Sequence, residues 1–95
     1  MTKSPETPSV IHNPDANRFE IWIDQNLARL DYAIDGNKII FKHTEVPPDL
    51  EGRGIGSKLA QAGLGYARAK GYTVIPLCEF ISSYIQRHPE FQDLL

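Results

Sequence analysis

The amino-acid pattern predicts an α/β (α+β) domain: a mostly antiparallel sheet of about four strands with two main helices. Three observations carry that reading. Three β-forming segments follow one another with connections too short for a parallel crossover. A longer stretch then repeats apolar residues at helical spacing. A last short apolar run leads into a second helical pattern that proline stops. With 95 residues the chain has room for one modest core, and 41% hydrophobic and 23% charged residues suit an ordinary globular domain.

Met1–Asp15 carries Pro5, Pro8 and Pro14 and little apolar content, so residues 1–16 read as a mobile or disordered tail, with Val10-Ile11 packing locally at most. Residues 17–95 read as a single domain. Arg18–Asp24 alternates loosely and is rich in β-formers. Leu27–Ile34 alternates cleanly, with Ala28, Leu30, Tyr32 and Ile34 on one face. Asp35-Gly36-Asn37 supplies a turn, and Lys38–Val46 is the third strand. Pro47-Pro48 ends it, because neither residue can donate to a ladder. Ile55–Lys70 reads as a helix with Ile55, Leu59, Ala62 and Tyr66 on one face, broadened by Leu64 and Ala67. Gly63 and Gly65 weaken it by about 1 kcal/mol each relative to alanine, and their smallness suits close packing on the sheet. Gly71 is a natural C-cap, and Arg68 and Lys70 favour the negative end of the dipole. Thr73–Leu77 is a fourth strand, near an edge because Pro76 lacks an N–H. Glu79–His88 is the second helix, with Phe80, Ile81, Tyr84 and Ile85 inward.

Charge and cysteine count exclude several function classes. Ten Lys+Arg against twelve Asp+Glu give a net charge of -2, which lacks the footprint of a general nucleic-acid binder. No apolar run reaches the roughly 20 residues needed to span a bilayer, and the first residues do not read as a signal peptide. The single cysteine, Cys78, allows neither an internal disulfide nor a Cys-pair zinc site. No His/Glu/Asp spacing suggests a metal. A free thiol suits a reducing compartment, so a cytoplasmic location is the expectation.

The chemistry-bearing segment is the loop before the first helix. Gly52, Gly54 and Gly56 alternate there, and a helix start offers about four unpaired N–H groups with about half a positive charge. That combination suits a phosphate or pyrophosphate, with Arg53 and Lys58 adding positive charge. An ordinary glycine-rich helix entry would look the same. The loop is not a P-loop, since Ser57-Lys58 stands where Gly-Lys is required. Nor is it a dinucleotide fingerprint, since Ser57 fills the last glycine position and the loop follows an antiparallel meander.

Glu51-Gly52-Arg53-Gly54-Ile55-Gly56 resembles the pyrophosphate loop of the GNAT superfamily of N-acetyltransferases, (Gln/Arg)-x-x-Gly-x-(Gly/Ala). The ordered run from His43-Thr44-Glu45-Val46-Pro47-Pro48 through the glycines to Pro76-Leu77-Cys78-Glu79-Phe80, Tyr84-Ile85 and His88-Pro89-Glu90-Phe91 resembles its small single-domain branch, over about Arg18 to Leu95. The resemblance implies a minimal GNAT-like fold and acetyl-CoA as co-substrate. It implies that backbone N–H groups from Arg53 to Ser57 hold the coenzyme A pyrophosphate, taking in Gly54, Ile55 and Gly56, with Lys58 nearby. It implies that the strand end at Glu45-Val46 splays from the fourth strand and pairs with the pantetheine amides. Glu51 departs from the motif, and no segment between the first two strands matches the superfamily's N-terminal helices, which help form the acceptor side.

The same resemblance places Cys78 at the strand end that faces the thioester, as an acetyl acceptor; by itself, a cysteine there also reads as a small buried hydrophobe. A helix N-terminus would favour its thiolate, and a thiolate can attack a thioester. The competing route is direct attack by the amine, which needs a base. His43 and Glu45 lie two apart on one strand and share a face, and a histidine near pKa 6.5 suits that role, though both could equally be solvated strand residues. Tyr84 could donate a proton or simply pack in the core. Trp22 and Tyr32 read as core or sheet-face aromatics, and His12, in the tail, as inert. Three functions follow: an acetyl-CoA-dependent N-acetyltransferase acting on an unidentified amine, as a monomer or weak dimer; a non-catalytic coenzyme A-binding regulatory or interaction module; or an interaction domain whose glycine loop is only a turn.

Overall fold

The computed structural model describes residues 9–95. In chain order it contains β1 (Ile11–Asn13), β2 (Arg18–Ile23), β3 (Asn26–Asp35), β4 (Lys38–Glu45), α1 (Ile55–Lys70), β5 (Thr73–Pro76) and α2 (Glu79–Arg87), with short 3-10 turns at Pro14–Ala16, Pro48–Leu50 and Pro89–Leu94. The strands lie in the order β1-β2-β3-β4-β5. The first four are antiparallel neighbours, and β5 joins β4 in parallel. A parallel neighbour needs a crossover connection, and α1 supplies it.

The sheet has five strands rather than about four, and the extra one lies in the segment expected to be a tail. Ile11–Asn13 pairs with Arg18–Glu20, so order begins before Asn17. Residues 1–8, with Pro5 and Pro8, lie outside the described residues. His12 is correspondingly not inert: its ring stacks 4.3 Å from Phe19 and its Nε2 lies 2.6 Å from the Tyr32 hydroxyl. Tyr66 of α1 closes the other side at 4.5 Å. Proline content pointed to disorder, but three residues with an aromatic seat suffice for an edge strand.

Alternation sets the two faces of the sheet. Phe19, Ile21, Ala28, Leu30, Tyr32, Ile39, Phe41 and Val74 are buried on one face. Onto it pack Leu59, Leu64 and Ala67 of α1 and Ile81, Tyr84 and Ile85 of α2. A Cβ on Gly63 would lie 2.8 Å from Leu30 Cδ2 and 2.9 Å from Phe41 Cε1, so α1 sits on the sheet as closely as backbone allows. Gly71, at φ +75°, closes α1, with the Tyr72 N–H donating back to the Ala67 carbonyl at 2.9 Å. Arg68 reaches beyond the dipole: it donates to both carboxylate oxygens of Asp93, at 2.9 and 3.0 Å, and to the Glu90 carbonyl at 2.7 Å, tying the last turn to α1.

No helix covers the other face among the described residues. It carries Glu20, Trp22, Arg29, Asp31, His43 and Glu45. Trp22 is a sheet-face aromatic there, whereas Tyr32 is in the core. Glu20 is buried but not orphaned: Arg18 Nε at 2.6 Å, Asn13 Nδ2 and Trp22 Nε1 all donate to it. The Arg18 hydrogen bond, then that of Asn13, holds its carboxyl below the usual range. Between β3 and β4 the register breaks once: Asp31 faces His43 and Tyr32 faces Phe41, leaving Lys42 as an extra residue in β4.

Candidate functional site

The site begins where the sheet opens. Pairing of β4 with β5 ends at Phe41 and Pro76, while β4 stays paired to β3 as far as Glu45. Pro76 cannot donate onward. Beyond it, the Leu77 N–H folds back onto the Ile75 carbonyl at 3.2 Å and the Cys78 N–H donates to the Phe41 carbonyl at 3.0 Å. The chain then enters α2. The two strands splay, leaving the last part of β4 with a β-neighbour on one side only.

The start of α1 faces that opening. Gly54 caps the helix at φ +75°, ψ 15°, a left-handed conformation open to glycine at no steric cost. The Lys58 N–H donates to the Gly54 carbonyl at 3.1 Å. The N–H groups of Ile55, Gly56 and Ser57 therefore precede the first intrahelical bond, and the helix has no acidic residue in its first turn and no side-chain cap. A cavity of about 490 Å³ joins the two features: its wall is Thr44 and Glu45 of β4, Val46 just beyond it, Leu50–Gly52 and Gly54 of the loop, Ile55–Ser57 of α1 and Phe80 of α2. Three free amides, a helix dipole and an unpaired strand edge suit an extended ligand with an anionic group and amides of its own.

Of the residues singled out from the sequence, Val46, Gly54, Ile55, Gly56 and Ser57 line this cavity, and Glu45 contributes to it. Arg53 is exposed and Lys58 half-buried, and neither is on the wall. Gly56 has a second reason to be glycine: a Cβ there would lie 2.7 Å from Phe80 Cζ, so its smallness seats the Phe80 ring. Glu51 places a carboxylate on the wall of an anion-friendly cavity.

Cys78 is the N-cap residue of α2. It is half-buried, and its sulfur lies 3.1 Å from Thr44 Oγ1, so it borders the cavity through Thr44. His43 and Glu45 share a face, as strand alternation requires, but it is the open one. Their register partners are Asp31 and Arg29, whereas Thr44 stands opposite the buried Leu30. His43 Nε2 is 3.5 Å from Glu45 Oε1, and the same oxygen takes Arg29 Nη2 at 3.1 Å. Arg29 also donates to Asp31 at 3.1 Å, which, with the neighbouring carboxylates, raises its pKa further. Tyr84 is buried and stacked 3.8 Å from His88, in the core and off the cavity wall. Sequence reasoning missed Thr44, Phe80, Leu50, Arg29 and Asp31; of these only Thr44 carried a signal, since it lies between two singled-out residues and must face the other way. Among the described residues no group of three or more His, Cys, Asp or Glu could hold a metal, and no helix is long and apolar enough to cross a membrane.

A meander opened at a parallel last strand, with a glycine-capped helix aimed into the opening, defines the N-acetyltransferase class of fold. Residues 18–94 match the model of the GCN5-related N-acetyltransferase family. The solution structure of a GCN5-like protein from Staphylococcus aureus superposes with a TM-score of 0.74 at 31% identity, covering 93% of this chain and 87% of that one. Protein NATD1 of Homo sapiens is 35% identical over 83 residues, 84% of this chain and 74% of that protein, and the Mus musculus protein is 30% identical over 83 residues. The chain belongs to the GCN5-related N-acetyltransferase family.

Proposed function

We propose that the protein is an acetyl-CoA-dependent N-acetyltransferase that moves an acetyl group onto an amine, with Cys78 beside the thioester. The observation that carries this reading is the meeting of the β4–β5 opening with the free amides of Ile55, Gly56 and Ser57 in one cavity. Those amides and the capping Gly54 hold the pyrophosphate, Arg53 and Lys58 add positive charge around it, and the edge at Glu45-Val46 takes the pantetheine amides. Bound there, coenzyme A supplies the acetyl group as a thioester. Cys78, as thiolate, can accept the acyl carbon: its sulfur forms the new S–C bond, the old S–C bond breaks, and the released coenzyme sulfur takes up a proton. An amine nitrogen then displaces the cysteine sulfur and gives up its proton to solvent. In the direct route His43, held by Glu45, takes the ammonium proton before attack and Cys78 has no covalent part. The net charge of -2 favours an amine, free or protein-borne, over nucleic acid or membrane as partner; the reading includes a cytoplasmic monomer or weak dimer.

Thermal unfolding with acetyl-CoA, and with ATP as control, tests binding. At 100 times its dissociation constant a ligand stabilises by about 2.7 kcal/mol, several degrees for a domain this small. No shift at millimolar acetyl-CoA ends the proposal. Release of free thiol across a panel of amines, repeated with Cys78→Ala, then tests turnover. Two observations favour a second reading, a non-catalytic coenzyme A-binding regulatory module: Glu45 is already paired with Arg29, and among the described residues the open face has no covering helix. That reading expects the same thermal shift and no thiol release with any amine.

A further inference from the structure

We infer that Thr44 is the positioning residue of the Cys78 thiol, its hydroxyl donating a hydrogen bond to the thiolate and aiming the sulfur at the cavity. The inference rests on the proposed role of Cys78, but its test does not need turnover. The Cys78 backbone is already fixed: its N–H donates to the Phe41 carbonyl at 3.0 Å, and its carbonyl accepts from the Ser82 N–H at 3.0 Å. What remains free is rotation about one side-chain bond, and Thr44 Oγ1, 3.1 Å from Sγ, selects among its positions. Among the described residues no other side chain hydrogen-bonds the sulfur.

Thr44 is well suited to this. It is β-branched, on a strand, and therefore stiff at its first torsion. It stands opposite Leu30, on the covered face, and forms part of the cavity wall. The ionisable neighbours along the chain do not compete. Glu79, next on α2, is exposed, and His43 and Glu45 on β4 face the open side, engaged with each other and with Arg29. The Thr44 hydroxyl can donate to a thiolate without adding charge, as the first amides of α2 can, so it stabilises the reactive form and leaves the cavity's preference for anions unaltered.

The test is the rate of Cys78 alkylation by iodoacetamide across pH, in the full chain without coenzyme, for wild type, Thr44→Val and Thr44→Ser. Removing a hydrogen bond to a half-buried charged group should lower the thiolate fraction near neutral pH by roughly tenfold. The freed sulfur is a stronger nucleophile, with a Brønsted slope of about 0.5, recovering about threefold. Thr44→Val should therefore react about threefold slower at pH 7 and about threefold faster on the alkaline plateau. That crossing of the two profiles is something a merely structural role would not produce, and Thr44→Ser should restore the wild-type profile. Should Thr44→Val unfold, Thr44→Ala, which also removes the hydroxyl, must show the same crossing. Superimposable profiles, or faster alkylation of the valine variant at pH 7, overturn the inference; the latter would mean that the thiol donates to Oγ1. Full acetyl transfer by Cys78→Ala would instead end the covalent role of Cys78 and leave the alkylation result standing.

Discussion

Gly63 and Gly65 lie two residues apart on α1, and alanine at each should move stability in opposite directions. At Gly65 an added Cβ meets nothing within 4 Å. Only helix propensity acts there, and it favours alanine by up to about 1 kcal/mol. At Gly63 the same Cβ lands 2.8 Å from Leu30 Cδ2 and 2.9 Å from Phe41 Cε1. Both neighbours are fully buried, so neither can swing aside into solvent. Overpacking of this kind costs about 1–3 kcal/mol; set against the same propensity gain of about 1 kcal/mol, the net loss is about 0–2 kcal/mol, about 1 kcal/mol at its centre. The two variants should differ by about 2 kcal/mol, on the order of 10 °C in Tm for a domain this size. Parallel thermal and urea unfolding of both variants and wild type provides the measurement. A Gly63→Ala protein that melts at or above wild type would refute the close seating of α1. That seating fixes the height of the free amides at the helix start, so its failure would undermine the site as well as the core.

Three further outcomes are expected. Gly54→Glu should abolish stabilisation by acetyl-CoA by placing a carboxylate at the cradle, whereas Gly54→Ala, which shares the left-handed strain of about 1–3 kcal/mol, should keep it; equal loss in both would show that conformation rather than charge decides. Glu51→Gln removes a carboxylate from the cavity wall and should tighten acetyl-CoA binding by about two- to fivefold, an effect of surface-charge size, read by calorimetry; unchanged or weaker binding would place the anion elsewhere. Burial, with Lys70 nearby, holds the His12 pKa below 6.5, so the unfolded chain binds more protons below that pH. Stability attributable to His12 is therefore full above about pH 6.5 and declines as the pH falls; an NMR titration of its ring with a midpoint at or above 6.5 would show that the ring does not occupy its aromatic seat.

Much of the fold was legible because its signals are local. The alternation of Ala28, Leu30 and Tyr32, the helical spacing from Ile55 to Leu64, and the stops at Pro47-Pro48 and Gly71 each depend on neighbours in sequence. The cavity loop was legible for the same reason: a glycine cap and the free amides behind it are backbone features. What sequence hid depends on partners far along the chain. His12 becomes ordered through Phe19, Tyr32 and Tyr66, and no tripeptide announces such a seat. Gly56 answers to Phe80, 24 positions later (80 − 56). For His43 and Glu45 the shared face was legible but not which face, because the extra residue in β4 has no turn-forming or glycine signature.

That extra residue sets the parity of everything after it. Before Lys42, odd-numbered residues such as Ile39 and Phe41 point to the helices; after it, the even-numbered Thr44 does. Deleting Lys42 would bring β4 back into unbroken phase with β3 and leave His43 opposite Asp31 on the open side and Thr44 opposite Leu30 on the covered one, because the bulge only takes up a surplus residue. Pairing without the bulge and with Lys42 kept would instead set Lys42 against Asp31 and His43 against Leu30, turning the imidazole toward the covered side and the threonine hydroxyl out to water. The bulge is thus what keeps a neutral alcohol, rather than a proton acceptor, beside the single cysteine.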